Sequence, residues 1–256
     1  MIEAPQSFVV ATECDKAARD NGFRRVLGER EGWAGFASTT VPGTVHLAAQ
    51  GPGGPWYLAL DHAGVIAALG LAPAPLPGPG LARFRFDSLT PLYQVLRRVY
   101  ELAASLPDAP LVQFEARTRA LPQTTEAERL TVQRIGQEIF RAALMDYWQG
   151  RCPLTGIAEP ALLRASHIVP WAACESDAQR LDVHNGLLLS ALWDAAFDRG
   201  LVSFADDGTP MFAPGLSGAA RAALVWQAPL PLTDAHRRHL AWHRAQLFGK
   251  AAEGAA

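Results

Sequence analysis

The sequence predicts an α+β protein in which a mixed N-terminal domain precedes a C-terminal domain with its own helices and short strands. Short runs rich in aromatic and β-branched residues, each bounded by Gly, Pro or Thr, predict strands in the first quarter of the chain. Apolar residues at helical spacing predict a helix over residues 89–105, which Pro107 and Pro110 end. A second set of helical and strand patterns begins at Thr125.

The N-terminal domain is predicted to span residues 1–106. Its patterns favour strands over residues 7–11, 33–38, 44–49 and 56–60, and a helix over residues 14–21. The proline-rich run at residues 72–80 breaks regular structure and predicts a loop or an internal linker. We expect residues 107–124 to be a connecting segment.

The C-terminal domain is predicted to span residues 125–256. Thr125 and Glu128 have the spacing of a capping box, so we expect a helix from Thr125 to Trp148, closed by Gly150. The later patterns predict strands over 162–169 and 187–189, a helix from Ser190, a hairpin of 201–204 with 210–213, and a final helix over 233–248.

Composition excludes several classes of protein. With 49% hydrophobic and 19% charged residues, the chain has an ordinary globular composition. No apolar run reaches the roughly 18 residues that a membrane helix needs. The N-terminus shows no basic flank and no apolar stretch of a secretory signal, so we expect a cytoplasmic protein without a membrane partner.

Net charge and cysteine content exclude fewer classes of protein than composition does. The net charge of −2 argues mildly against a strongly basic DNA-binding surface. Nearly all positive charges are arginine, which reflects a GC-rich genome as readily as phosphate recognition. Three distant cysteines without a Cys-x-x-Cys pair argue against a disulfide framework and a zinc ribbon.

One histidine, one asparagine and two aspartates are spread over about thirty residues where a hairpin followed by a helix would bring them together. His167 lies near the exit of the predicted strand, and Asn185 precedes the second strand. Asp194 and Asp198 are four residues apart, so their carboxylates share one helix face and repel each other. This repulsion suggests a third party: a metal ion, a basic side chain or solvent.

This part of the chain resembles the HNH nuclease family, whose fold is two strands and a helix around one metal ion. The resemblance covers roughly residues 135 to 215. It rests on four blocks in the family's order: Tyr147-Trp148-Gln149-Gly150-Arg151-Cys152-Pro153-Leu154-Thr155-Gly156, Ala165-Ser166-His167-Ile168-Val169-Pro170-Trp171, Asn185-Gly186-Leu187-Leu188-Leu189-Ser190, and Asp194-Ala195-Ala196-Phe197-Asp198-Arg199-Gly200-Leu201-Val202-Ser203-Phe204.

The resemblance implies a ββα-metal catalytic core in the C-terminal domain and assigns roles to its residues. His167 would be the general base, a role that suits a pKa near neutrality. Asn185 would use its side-chain amide to hold the loop against the histidine strand. Asp194, Asp198 and, more weakly, Ser166 would stand at metal-ligand positions, where oxygen donors suit Mg²⁺ or Mn²⁺ better than zinc.

The chain departs from the family pattern at two positions. Many family members carry a histidine where this chain has Asp194, and an acidic residue or histidine where it has Ser166. Candidate substrate-binding residues surround these positions: Arg164, Arg180, Arg199 and His184. Arginine forks suit phosphate oxygens, but an ion pair with Asp182 or another carboxylate stays an open alternative for each arginine.

Three functions are compatible with these patterns. The first is a metal-dependent DNA endonuclease of restriction or modification-dependent type, with the N-terminal domain as the DNA-recognition module and a homodimer suited to double-strand cleavage. The second is a catalytically silent DNA-binding protein with a decayed HNH module, which Ser166 favours. The third is a nuclease toxin, against which the lack of secretion or repeat features argues.

Overall fold

The computed structural model describes residues 1–122 and 124–250 and divides the chain into two compact units. Unit 1 comprises Met1–Ala109 and unit 2 comprises Pro110–Ala256. Both contain helices and sheets, which confirms the predicted α+β class. Within the described ranges, no helix combines the length and apolar character that crossing a membrane requires.

Unit 1 is built on one five-stranded antiparallel sheet in which each strand pairs with the next along the chain. The strands are β1 (Arg25–Arg30), β2 (Trp33–Ala37), β3 (Thr44–Ala49), β4 (Trp56–Leu60) and β5 (Ala82–Phe86). The helices are α1 (Phe8–Asp20), α2 (Ala63–Leu69) and α3 (Leu89–Ser105). Helices α1 and α3 pack on the sheet and bury its apolar side chains.

The predictions for unit 1 are correct for three strands and wrong at its start. Residues 7–11 were predicted to be a strand, but they enter helix α1. Val9 and Val10 are β-branched, and this favoured a strand in the prediction. In helix α1, Val10 and Cys14 lie four residues apart on the buried face, while Val9 is exposed. Strands β1 and β5 and helix α2 were not predicted at all.

The segment 107–124, predicted to be a connection, contains helix α4 (Asp108–Thr118). Proline is tolerated in the first turn of a helix, where its missing N–H has no intrahelical partner. Pro110 occupies this first turn and is therefore compatible with the helix. The helix packs its Phe114 close to Gly136 of the next helix.

Unit 2 surrounds a two-stranded sheet with helices and adds a second hairpin. The helices are α5 (Glu126–Tyr147), α6 (Asp177–Leu181), α7 (Ala191–Asp198), α8 (Gly218–Ala223) and α9 (Asp234–Gln246). Strands β6 (Leu163–His167) and β7 (Gly186–Ser190) pair antiparallel, as do β8 (Val202–Phe204) and β9 (Pro210–Phe212). The capping box predicted for Thr125 and Glu128 is confirmed, and so is the hairpin around Asp207 and Gly208.

Helix α7 ends in a motif that fixes the position of its last turn. The backbone N–H of Gly200 donates to the Phe197 carbonyl, and the N–H of Leu201 donates to the Ala196 carbonyl, which is the pattern of a Schellman cap. Gly200 has φ +64°, a conformation that glycine adopts without steric cost. A Cβ at this position would also collide with the backbone carbonyl of Leu247. The end of α7 is therefore held in place by the chain that follows α9.

Candidate active site

Strands β6 and β7 and helix α7 form a ββα unit that carries the predicted residues. His167 at the end of β6 pairs with Gly186 at the start of β7, and Ser166 pairs with Leu187. Chain reversal after Ser190 leads directly into α7, which contacts both strands. The hairpin followed by a helix that the sequence predicted is present.

His167 is partly buried, and its ring makes one hydrogen bond with the backbone. The Nε2 atom lies 2.9 Å from the carbonyl oxygen of Arg180. A carbonyl oxygen only accepts hydrogen bonds, so Nε2 carries the proton and the neutral ring keeps its lone pair on Nδ1. Burial lowers the pKa of His167 below its ordinary value, and the hydrogen bond to Arg180 opposes this effect only in part. The ring is therefore a neutral base at physiological pH.

Asn185 is fully buried and ties two loops together. Its Oδ1 accepts from the Val169 N–H at 2.8 Å, and its Nδ2 donates to the Gln179 carbonyl at 3.1 Å. Its own backbone carbonyl accepts from the Ile168 N–H at 3.0 Å. These bonds fix the chain that leaves β6 against α6 and the chain that enters β7, so Asn185 holds the loop that follows His167.

Ser166 and the two aspartates form the acidic part of the site. The buried Ser166 hydroxyl donates to Oδ1 of Asp194, which orients that carboxylate. Asp198 follows one helical turn later. Partial desolvation and the negative charge of Asp194 raise the pKa of Asp198 to about 6, and the positive charge of Arg199 opposes the rise. The structure thus places two interacting carboxylates together, as their spacing predicted.

A cleft of about 310 Å³ opens beside these groups. Among its lining residues are three of those predicted from the sequence: Ser166, His167 and Asp198. Asp194 reaches the same place through its hydrogen bond with Ser166. A neutral imidazole, a hydroxyl and the Asp198 carboxylate therefore line one cavity, and the Asp194 carboxylate lies behind the Ser166 hydroxyl.

The donor set of the cleft fits a hard divalent cation. Asp194, Asp198 and Ser166 offer only oxygen atoms, and the charge of Asp194 beside the solvent-exposed Asp198 carboxyl contributes to its raised pKa. In the part of the chain that the structure describes, no three His, Cys, Asp or Glu side chains group into a metal site by themselves. Mg²⁺ commonly uses one or two carboxylates and keeps several waters, so two aspartates suffice for it but not for zinc.

The predicted substrate-binding residues fall into two groups. Arg180 uses its guanidinium internally, donating to the carbonyls of Trp171 and Cys174 and pairing with Asp177 at 2.9 Å. Arg164 is exposed and donates to the Leu163 carbonyl and to one other backbone carbonyl nearby. For Arg180, the alternative of a structural ion pair is the one that the contacts match.

The other two predicted substrate residues also differ in their surroundings. His184 lies 2.9 Å from Asp182 and stacks edge-on against Tyr147 and His236, so its ring belongs to a packed polar cluster. Arg199 is exposed directly after Asp198, at the end of α7. Of the four candidates, Arg199 is the one adjacent to Asp198 in the chain, although it does not line the cleft.

Several residues around the cleft were not assigned to it from the sequence. Trp171 and Leu247 line it, and so does the buried His243 of α9. The His243 ring lies 3.1 Å from the Phe197 carbonyl and 3.0 Å from the Ser203 hydroxyl, so it links α9 to the end of α7. Nothing in the local sequence distinguishes His243 from the other histidines, because its role depends on a contact between positions 46 residues apart.

The raised pKa of Asp198 gives a prediction for stability. A carboxyl group whose pKa is higher in the folded than in the unfolded state favours folding below the unfolded pKa, and this contribution is lost as pH rises through about 6. We therefore expect Asp198→Asn to raise the melting temperature relative to the parent at pH 8, and the difference to disappear near pH 4. Thermal unfolding followed by circular dichroism at both pH values measures this.

The matched control for this prediction is Asp194→Asn. Removing the neighbouring charge should lower the pKa of Asp198 toward its ordinary value, which carboxyl-carbon NMR titration reports. An Asp198 that titrates identically in the parent and in Asp194→Asn would contradict the coupling between the two carboxylates.

Comparison with known proteins places this site in a family. Residues 152–205 match a family model described as HNH endonuclease. This segment contains β6, β7 and α7, with all the residues of the ββα unit discussed above. A search of curated proteins gives no match. The C-terminal half of this chain thus carries a domain of the HNH endonuclease family at residues 152–205.

Proposed function

We propose that this protein is a metal-dependent endonuclease that hydrolyses phosphodiester bonds in DNA, with His167 as the general base. The observation that carries the proposal is the His167 ring itself. Its Nε2–H donates to the Arg180 carbonyl, which leaves a basic Nδ1 on a ring that shares a cleft with the Asp198 carboxylate. The match to the HNH endonuclease family over residues 152–205 supports a nuclease function independently.

In the proposed reaction, Nδ1 of His167 removes a proton from a water molecule, whose oxygen attacks the phosphorus in line with the leaving group. The new P–O bond forms as the bond between phosphorus and the 3′ oxygen breaks. The 3′ oxygen takes a proton from solvent, which leaves 5′-phosphate and 3′-hydroxyl ends. Because burial lowers the pKa of His167, the ring is unprotonated and ready to accept a proton at neutral pH.

HNH nucleases generally use a divalent metal ion. In this chain Asp194 and Asp198 would hold it, as Mg²⁺ or Mn²⁺, and Ser166 would orient Asp194 through its hydrogen bond. The ion would stabilise negative charge on the phosphate and on the leaving oxygen. Ser166 is therefore better suited to support a ligand than to replace the acidic residue or histidine common in the family at this position.

We further propose that unit 1 is the DNA-recognition module of a restriction-type or modification-dependent nuclease. The support is an exposed sheet edge: strand β1 is exposed along its whole length and carries Arg25 and Arg30 besides Glu29, with Arg30 lying 3.9 Å from Glu31. Trp33 and Phe36 of the neighbouring strand β2 are buried in the sheet and do not contribute to the surface. Recognition through this edge would therefore rely on charge rather than on exposed aromatic rings.

A second candidate function is a DNA-binding protein whose nuclease site has lost its activity. The observation in its favour concerns Ser166, whose hydroxyl donates a hydrogen bond to Asp194. Many family members carry a stronger metal ligand at the position of Ser166. The retained His167 and the coupled aspartates favour the active enzyme. Cleavage assays separate the two functions.

Purified protein should nick supercoiled plasmid only when Mg²⁺ or Mn²⁺ is present, and chelation with EDTA should abolish nicking. His167→Ala should lower the rate by about 10²-fold or more, since general-base catalysis contributes about 10²–10⁴-fold. The Mg²⁺ concentration needed for half-maximal cleavage should rise as pH drops through about 6, because the proton then competes with the ion for the Asp198 carboxylate. Equal cleavage by the parent and His167→Ala would disprove the assignment of the base.

The same assay tests unit 1 when the plasmid is prepared from modifying and from non-modifying hosts. A difference in cleavage rate that shrinks in Arg25→Ala/Arg30→Ala would support DNA recognition by β1. Binding of both plasmids without any metal-dependent cleavage would instead favour the silent DNA-binding protein.

Two arginines at the site should respond differently to substitution. Arg180→Ala should lower kcat with little change in KM, because its guanidinium holds the turn that presents its carbonyl to His167. Arg199→Ala should mainly raise KM and reduce the salt dependence of binding, as expected for a phosphate contact. Steady-state kinetics on a short duplex at two salt concentrations compares the variants, and a raised KM in Arg180→Ala would show that Arg180 binds substrate after all.

A further inference from the structure

The His167 ring stacks on Phe140 of helix α5. The two ring centroids are 3.8 Å apart and the planes differ by only 15°. Phe140 is 1% exposed, so its position is fixed by the surrounding core. Helix α5 ends before residue 152 and therefore lies outside the segment that matches the HNH endonuclease family.

The approach of α5 to His167 depends on the absence of a side chain at Gly186. A Cβ on Gly186 would lie 2.5 Å from Phe140 Cζ and 2.9 Å from Leu144 Cδ1. Gly186 is also the residue that pairs with His167 across the two strands. The absence of a side chain at Gly186 thus leaves the space in which Phe140 of α5 packs against His167.

We propose that Phe140 is a positioning residue for the general base, holding the His167 ring in the plane in which Nε2 reaches the Arg180 carbonyl. This inference rests on the proposed function of His167. It extends the residues that support catalysis to helix α5, outside the segment that matches the HNH endonuclease family. Leu144, by contrast, approaches the same glycine from the same helix but has no flat ring to cover His167.

The physical reason is the freedom of the imidazole ring about its second side-chain torsion. That torsion has a broad, roughly two-fold energy profile, so the backbone alone does not select one ring orientation. Phe140 covers one face of the ring, and Trp171 lies edge-on at 5.6 Å between centroids and 88° between planes. Because both aromatic rings contact the imidazole, the ring keeps the orientation in which it bonds to Arg180, and Nδ1 remains the basic nitrogen. A displacement of about 1 Å at a reacting group can cost about 10²-fold in rate.

The test compares Phe140→Leu with Leu144→Ala in the full-length protein. Both changes remove packing from α5 next to Gly186, but only the first removes the flat surface under His167. Phe140→Leu should lower kcat by about tenfold or more with KM within about twofold, as expected for lost orientation. Leu144→Ala should change kcat much less.

NMR of the His167 ring provides a readout that does not require activity. In the parent and in Leu144→Ala, the ring protons should be shifted upfield by Phe140, and the ring nitrogens should report a single tautomer with the proton on Nε2. In Phe140→Leu the upfield shift should disappear and the second tautomer should become populated. If Phe140→Leu keeps a single Nε2–H tautomer, or loses no more kcat than Leu144→Ala, the inference is wrong. If the parent itself does not cleave DNA, the proposed function fails, and the tautomer comparison still decides the role of Phe140.

Discussion

The buried side-chain amide of Asn185 holds the chain that leaves β6 against α6 and the chain that enters β7, next to the candidate active site. It bonds to Val169 on one side and to Gln179 on the other, while its backbone carbonyl binds the Ile168 N–H. A buried amide left without these partners would cost about 1–3 kcal/mol per unsatisfied group. The loop after His167 therefore cannot leave the start of β7 without exposing or orphaning this amide. Through this clamp, the Arg180 carbonyl stays in reach of the His167 ring.

The neighbouring carboxylates of Asp194 and Asp198, by contrast, act against the stability of the fold. The pKa of Asp198 is raised because the site partly removes its carboxylate from water and because the negative charge of Asp194 lies nearby. Both effects disfavour the charged form of Asp198. Groups with perturbed pKa values in a cleft are common at functional sites, because stability is given up there for chemistry. The Schellman cap at Gly200 and the contact of His243 with the Phe197 carbonyl hold the end of α7 against this repulsion.

Local signals explain what could be predicted from the sequence. The capping box at Thr125 and the short apolar runs that became β6 and β7 are determined by neighbouring residues, so the hairpin and helix could be found. The strand expected over residues 7–11 failed because two β-branched residues also suit a helix whose buried face is set by packing on the sheet. Contacts between distant residues were beyond such signals. The stacking of Phe140 on His167 arises only when α5 packs against the end of β6, and the contact of His243 with the Phe197 carbonyl joins positions 46 residues apart.

Chemical rescue of His167→Gly by imidazole is the measurement that bears on the account as a whole. If His167 supplies only a base held in place by its surroundings, the variant should be nearly inactive with Mg²⁺ alone. Added imidazole should then restore metal-dependent nicking in proportion to its unprotonated fraction. Cleavage by the variant at the parent rate without imidazole would contradict the account, and so would a parent protein that shows no metal-dependent cleavage of DNA.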